Sequence, residues 1–173
     1  METSAPILAV HLTQIDLSLF GLGKNQTMSG GNFRSLLTPS QFHFDVLDRY
    51  KCIKTFVEVT ILAASNLTAS AKVLAKWVRV ADETKKRLRN YFGFYAIAST
   101  IGNSPHLACW TQLWSKFEEN HSEEFKMLNG SIAKSANKMT TNNDLNGEAS
   151  LPHIIPLGTI HKLRQQTRGG RRG

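Results

Sequence analysis

One segment of the sequence is apolar on nearly every side. It reads NYFGFYAIASTIG, from Asn90 to Gly102, and consists mainly of aromatic, aliphatic and small residues. A helix that is hydrophobic all round has no face to turn to water, so we expect it to be buried on most sides. The run Gly102-Asn103-Ser104-Pro105 is a strong signal for the end of that helix. The chain of 173 residues is long enough for one domain with one core.

The segments around this one carry apolar residues at helical spacing. Strand-like alternation with hairpin turns occurs nowhere, so the sequence predicts an all-α fold, a single irregular helical domain. The predicted second stripe is Val46, Tyr50, Ile53, Val57 and Ile61, and the third is Val73, Trp77, Val80, Ala81, Thr84 and Leu88. The third helix has a charged outer face of Lys72, Lys76, Arg79, Asp82, Lys85, Lys86 and Arg89, and a later stripe holds Trp110, Leu113, Trp114 and Phe117.

The first helix is predicted from Pro6 to Leu19, with the proline where a helix start tolerates it. Its apolar stripe, at positions i, i+4, i+7 and i+11, predicts the core residues Leu8, Leu12, Ile15 and Leu19. Asp16 falls outside that stripe. For the third helix, a turn over residues 63–68 leads to Thr68 or Ser70 as the expected N-cap.

Composition changes toward the ends of the chain. We expect residues 1–5 to be a disordered N-terminus and residues 129–150, which are polar and rich in turn formers, to be a flexible loop. The final stretch RQQTRGGRRG, residues 164–173, is expected to be a disordered basic tail, which leaves residues 6–163 for the helical domain.

The charge pattern does not favour nucleic-acid binding by the folded part. The net charge is +8, but five cations and no acid lie from Leu151 onward, leaving +3 on the other 150 residues. A short Arg-Gly segment can bind phosphates without sequence preference, yet a single copy of it is weak support for such a function.

No motif in the sequence indicates an enzyme that makes or breaks covalent bonds. Gly21-Leu22-Gly23-Lys24 lacks the P-loop spacing, and neither HExxH nor GxSxG occurs. The two cysteines, Cys52 and Cys109, are too few for a disulfide framework or a zinc site of four ligands. With no recognisable signal peptide and no apolar run of membrane-spanning length, we expect a cytoplasmic protein, and no metal or cofactor is indicated.

Four stretches together span about 150 of the 173 residues: HLTQIDLSLF, FVEVTIL, the run from Ala71 to Trp114, and LPHIIPLG. In this order they resemble the sequence boxes in the catalytic domain of Ras-type guanine-nucleotide exchange factors. HLTQIDLSLF resembles the family's QLTxIDxxLF box, FVEVTIL its WVxxxIL segment, and LPHIIPLG its PxIPYLG box. The run from Ala71 to Trp114 is similar to the family segment that contains LNNFNSLxAIL, LNSPP and RLxxTW. Gapless matches in that run are Ala81, Asn90, Ala96, Ile97, Asn103, Ser104, Pro105 and Trp114.

This resemblance implies a Ras-family small GTPase as the partner, with membrane association only peripheral and through that GTPase. It also implies a groove for one GTPase switch segment and a helical hairpin after the PxIPYLG box. The hairpin acts as a wedge, carrying an apolar and an acidic residue. The residues that the resemblance assigns to GTPase binding are Asn90, Phe92, Cys109, Trp110, Ile155, Pro156 and Gly158.

The chain departs from the family pattern at the wedge. Counting from Gly158, the expected apolar and acidic positions fall on Gln165 and Gly169. We therefore expect a C-terminally truncated domain that is inactive in exchange as this isolated chain, because a cationic tail attracts the phosphate that an acid would repel.

A second reading has a different functional class. LLTPSQFHFDVLDRY and PHIIPLGTI are similar to segments of adaptors that join a phosphotyrosine-binding domain to an exchange-factor-like domain. That likeness implies a closed, non-catalytic module that binds a helical Cas-type scaffold in adhesion or growth-factor signalling. Three departures from the family pattern suit a closed surface better than a polar groove. The family has Arg-Leu at Cys109-Trp110, Asn at Phe92, and Pro-Tyr at Ile155-Pro156.

Overall fold

The computed structural model describes residues 3–21 and 41–132. Within these ranges the chain forms seven α-helices and a short π-helical turn, and none of the described residues lies in a strand. The helices are α1 Ala5–Leu19, α2 Gln41–Leu62, α3 Leu67–Lys86, α4 Tyr91–Asn103, α5 Pro105–Ala108, α6 Thr111–Asn120 and α7 Ser122–Met127, followed by the π-helical turn Leu128–Ile132. The all-α prediction is confirmed.

Helix α3 lies at the centre of the described fold. It packs against α1, α2, α4, α6 and α7, so it buries a wider face than one stripe provides. Leu74 and Val78 are fully buried although they lie outside the predicted stripe. The residues of its predicted charged face are all at least partly exposed, as expected.

Helix α4 is buried on most sides, as its composition predicts. It packs against α2 and α3, with smaller contacts to α1 and α5. Residues 92–98 are all buried, and Phe92, Phe94 and Ile97 are at most 1% exposed. Each such side chain contributes roughly 1.5–3 kcal/mol on leaving water, so α4 is a main source of core stability.

The predicted core stripe of α1 is wrong at one position. Ile15 is 52% exposed, whereas Asp16, predicted to lie outside the stripe, is fully buried. Leu12 is buried as predicted, and Leu8 and Leu19 are partly buried against the core. The buried face of α1 is therefore turned about the helix axis from the predicted one, because α3 and α4 pack against a face that includes Asp16.

The N-cap of α3 is Asn66, so the prediction of Thr68 or Ser70 is wrong. The Asn66 side-chain oxygen accepts a hydrogen bond of 2.9 Å from the Ala69 backbone N–H. This is the usual geometry of an asparagine cap, which satisfies one of the free amides of the first turn. Ser70 instead lies within the helix and donates to the Asn66 carbonyl oxygen.

Two predicted boundaries also differ. The sequence predicts disorder through residue 5, but Ala5 is buried at the start of α1. Ser4 occupies the N-cap position, where its carbonyl oxygen accepts from the Leu8 backbone N–H and its side chain makes no cap hydrogen bond. Residues 129–132, the first four of the predicted loop, belong instead to the π-helical turn, in which Ile132 is buried. The remainder of that loop and the basic tail 164–173 lie outside the described residues.

Candidate functional site

Asn90 occupies the junction between α1 and α4. It is fully buried, and its side-chain oxygen caps α4 by accepting a 2.8 Å hydrogen bond from the Gly93 backbone N–H. Its amide nitrogen donates to Asp16 Oδ2 at 2.7 Å and to Thr13 Oγ1 at 3.2 Å. All its polar atoms are thus used inside the protein, and the expectation that Asn90 contacts a partner is not supported by its position.

Asp16 is the acceptor that joins three helices. While Oδ2 accepts from Asn90 on the N-terminal side of α4, Oδ1 accepts from Arg49 Nε of α2 at 2.8 Å. Burial raises the pKa of the Asp16 carboxyl above its ordinary value, and the hydrogen bonds from Asn90 and Arg49 oppose that rise. A buried carboxylate with two donors has a structural role, since it links α1, α2 and α4. We call these three linked helices the frame of the domain.

Phe92 is also part of the core. It is 1% exposed, and its ring lies 5.4 Å from that of Phe20 and 5.7 Å from that of Tyr50, centroid to centroid. A side chain in this position cannot reach a partner without unpacking the domain. The apolar residue at this family position therefore serves packing. A contact of Phe92 with a partner stays a prediction that its buried position does not support, as is the case for Asn90.

Cys109 and Trp110 lie on the surface, unlike Asn90 and Phe92. Cys109 is exposed and Trp110 is half-buried against the core, and both lie in the turn between α5 and α6. Their backbone amides are engaged, since Cys109 N donates to the Pro105 carbonyl oxygen at 3.1 Å and Trp110 N to that of Leu107 at 3.2 Å. Among the predicted GTPase-binding residues that the structure describes, these two have side chains that a partner can contact.

A cluster that sequence reasoning missed lies beside this turn. Glu58 Oε1 on α2 accepts a hydrogen bond from Ser104 Oγ and one of 2.9 Å from His106 Nδ1. These bonds, that from Ser104 foremost, lower the pKa of Glu58 below its ordinary value. Glu58 lies 46 and 48 residues from its partners, so no local pattern could have revealed the cluster.

An open pocket of about 300 Å³ adjoins the cluster. It lies between α2 and the end of α4, and its rim carries Lys51, Lys54 and His106. Thr100, which is almost fully buried, forms part of its lining. The pocket thus lies on the side where α2 meets the end of α4, and its lining includes Ser104 and His106, which precede Cys109 and Trp110 in the chain.

The chain corresponds to a known kind of domain. A model of the RasGEF domain family matches residues 7–167. The chain belongs to the RasGEF domain family. No individual curated protein matches the chain. The helical fold agrees with that membership, and a RasGEF domain is a regulator of GTPases.

The remaining predicted site residues of this RasGEF domain, Ile155, Pro156 and Gly158, lie outside the described residues. Within residues 3–21 and 41–132, no helix is long and apolar enough to cross a membrane. The same ranges contain no group of three or more histidine, cysteine or acidic side chains that could hold a metal ion.

Proposed function

We propose that this RasGEF domain binds a Ras-family small GTPase and stabilises its nucleotide-free state. The family match over residues 7–167 carries this proposal. The surface position of Cys109 and Trp110, at the family positions assigned to the groove, supports it. Asn90 and Phe92 contribute indirectly by holding α4, and through it the groove, in place.

Nucleotide exchange depends on a difference in affinity for two states of the GTPase, and it breaks no covalent bond. A factor accelerates nucleotide release only if it binds the nucleotide-free GTPase better than the nucleotide-bound one. A rigid frame serves this purpose, because binding energy is then spent on displacing the GTPase switch segments and not on ordering the factor. The buried links between α1, α2 and α4 through Asp16 make the frame rigid in this sense.

We further propose that exchange by this chain is slow. Gln165 and Gly169 occupy the positions of the apolar and acidic wedge residues, and neither side chain can displace a switch segment or repel phosphate. Binding of a nucleotide-free GTPase and acceleration of release are therefore expected to separate in this protein.

The test combines binding and kinetics. A panel of Ras-family GTPases is assayed for capture in the nucleotide-free and GDP-loaded forms, and for release of a fluorescent GDP analogue at micromolar protein. We expect selective capture of one nucleotide-free GTPase with little acceleration, and faster release by the double variant Gln165→Leu with Gly169→Glu. Failure to capture any nucleotide-free GTPase would refute the proposal.

The adaptor reading is the alternative. It holds that the domain is a non-catalytic module for a helical Cas-type scaffold, and it rests on the likeness of LLTPSQFHFDVLDRY and PHIIPLGTI to the adaptor subgroup. The burial of Phe92 removes one of its supports, because that side chain belongs to the core and not to the groove. Capture of a Cas-type helical bundle, with no binding of any nucleotide-free GTPase, would favour the adaptor.

Location follows from the partner under this proposal. A factor for Ras-family GTPases acts in the cytoplasm and meets the membrane only peripherally, through the GTPase. Cell fractionation with and without overexpression of the captured GTPase tests this, since recruitment to membranes is expected only in its presence.

A further inference from the structure

We propose that Glu58 is a positioning residue that sets how Cys109 and Trp110 are presented to the GTPase. This inference rests on the proposed function and adds a role for a residue on a different helix. Glu58 does not touch either surface residue itself. It acts through a chain of hydrogen bonds that starts at α2 and ends at α6.

The first link joins α2 to the end of α4. Glu58 Oε1 accepts from Ser104 Oγ and from His106 Nδ1, so one carboxylate oxygen holds two residues at the start of α5. The Glu58 side chain is 25% exposed, which shields it partly from competing water. Hydrogen bonds to a charged acceptor are stronger than neutral ones, so this link is well suited to fix the segment.

The second link runs through Ser104 to α5. Ser104 Oγ has one proton to donate, which goes to Glu58, and it accepts at 3.2 Å from the backbone N–H of Leu107. Leu107 is fully buried, so its position is also fixed by packing. The carboxylate therefore orients the hydroxyl that caps α5.

The third link joins α5 to α6 across the turn. Trp114 Nε1 donates to the Leu107 carbonyl oxygen at 2.8 Å. Cys109 and Trp110 lie between Leu107 and α6, in the stretch that this hydrogen bond spans. Loss of Glu58 removes the anchor on the α2 side while the anchor on Trp114 remains, so the turn should loosen without unfolding.

Two readouts separate this role from a purely structural one. Amide hydrogen exchange of a peptide covering residues 104–114 reports the order of the turn, and affinity for the captured nucleotide-free GTPase reports its function. For Glu58→Ala we expect about tenfold faster exchange in that peptide and about tenfold weaker GTPase binding, the effect of losing roughly one charge-assisted hydrogen bond.

Glu83→Ala is the matched control. Glu83 on α3 has a similar side-chain exposure of 30% and forms an ion pair with Arg87, four residues further along the chain. It takes no part in the hydrogen-bond chain described above. It should leave both readouts unchanged. His106→Ala, at a side chain that is 70% exposed and whose loss does not threaten the core, should give a smaller change in the same direction as Glu58→Ala.

The outcomes distinguish the two proposals. If the wild type binds a nucleotide-free GTPase and Glu58→Ala binds it equally well, or exchange in residues 104–114 is unchanged, the positioning role is refuted and the proposed function stands. A wild type that captures no GTPase refutes the proposed function and with it the purpose assigned to Glu58. Equal effects from Glu58→Ala and Glu83→Ala would indicate general destabilisation and refute positioning.

Discussion

At the scale of single residues, two asparagines cap helices in this RasGEF domain in very different surroundings. Asn66 is exposed and caps α3 with a 2.9 Å bond, whereas Asn90 is fully buried and caps α4 with a 2.8 Å bond. Only Asn90 also donates to Asp16 and Thr13 of α1. The two positions therefore separate the contribution of a cap from that of a buried network.

Replacement of Asn90 by alanine should lower the free energy of unfolding by about 2–4 kcal/mol, since it removes the cap and leaves Asp16 Oδ2 without its donor. Asn66→Ala is the control and should cost about 1 kcal/mol, the usual loss for an exposed cap. Urea unfolding followed by circular dichroism measures both. Equal losses would show that the link between Asn90 and Asp16 adds nothing to stability.

Glu58 makes the stability depend on acid pH. Its pKa is lowered in the folded protein, from an unfolded value of 4.5, by the hydrogen bonds from Ser104 and His106. A lowered folded pKa means that its contribution is present above pH 4.5 and is lost as the pH falls through the folded value. The difference in unfolding free energy between wild type and Glu58→Gln should thus be fully present just above pH 4.5 and shrink as the pH falls below 4.5. A difference that grows on acidification would contradict this assignment.

At the scale of one element, α4 contains two glycines in opposite environments. A Cβ at Gly93 would lie 2.8 Å from Asn90 Nδ2 and 3.1 Å from Asp16 Oδ2, whereas one at Gly102 would meet nothing within 4 Å. The first glycine thus leaves room for the buried network at the start of α4. The second stands near the exposed end of the same helix.

Alanine should therefore have opposite effects at these two positions. Gly93→Ala should destabilise by about 1–3 kcal/mol, because the strain of overpacking exceeds the gain in helix propensity. Gly102→Ala should stabilise by about 0.5 kcal/mol, because it reduces the freedom of the unfolded chain and nothing resists the new methyl group. Thermal or urea unfolding of both variants decides it, and stabilisation by both would show that the space at Gly93 is not needed.

The elements themselves were largely predictable from the sequence. The bounds of α1, the stripe Val46, Ile53, Val57 and Ile61 of α2, and the burial of α4 agree with expectation because helical periodicity and end signals act within a few residues. The N-cap of α3 was missed because Asn66 lies before two other good capping residues, and only the observed path of the chain selects among them.

At the scale of the whole molecule, the described helices should unfold as one unit. Helix α1 is separated from α2 along the chain, yet it packs on α3 and α4 and is tied to α2 through Arg49 and Asp16. Shared burial of this kind couples the elements, so small domains usually unfold in a single transition.

Two probes test this cooperativity. Tryptophan fluorescence reports Trp77, Trp110 and Trp114 on α3, the turn before α6 and α6, whereas far-ultraviolet circular dichroism reports all helices together. We expect the two urea transitions to share one midpoint and one slope. An earlier transition in circular dichroism alone would show that α1 or another helix unfolds separately.

The sequence by itself determined the helical class, the positions of most helices and, through four ordered boxes, membership of the RasGEF domain family. Those features depend on local spacing and on residue order, which a chain displays before it folds. The tertiary structure alone decided that Asp16 is buried and Ile15 exposed, that Asn90 and Phe92 belong to the frame, and that Glu58 meets Ser104 and His106. Such assignments depend on how helices rotate and pack against partners far away in the chain, where burial and hydrogen bonding are settled together.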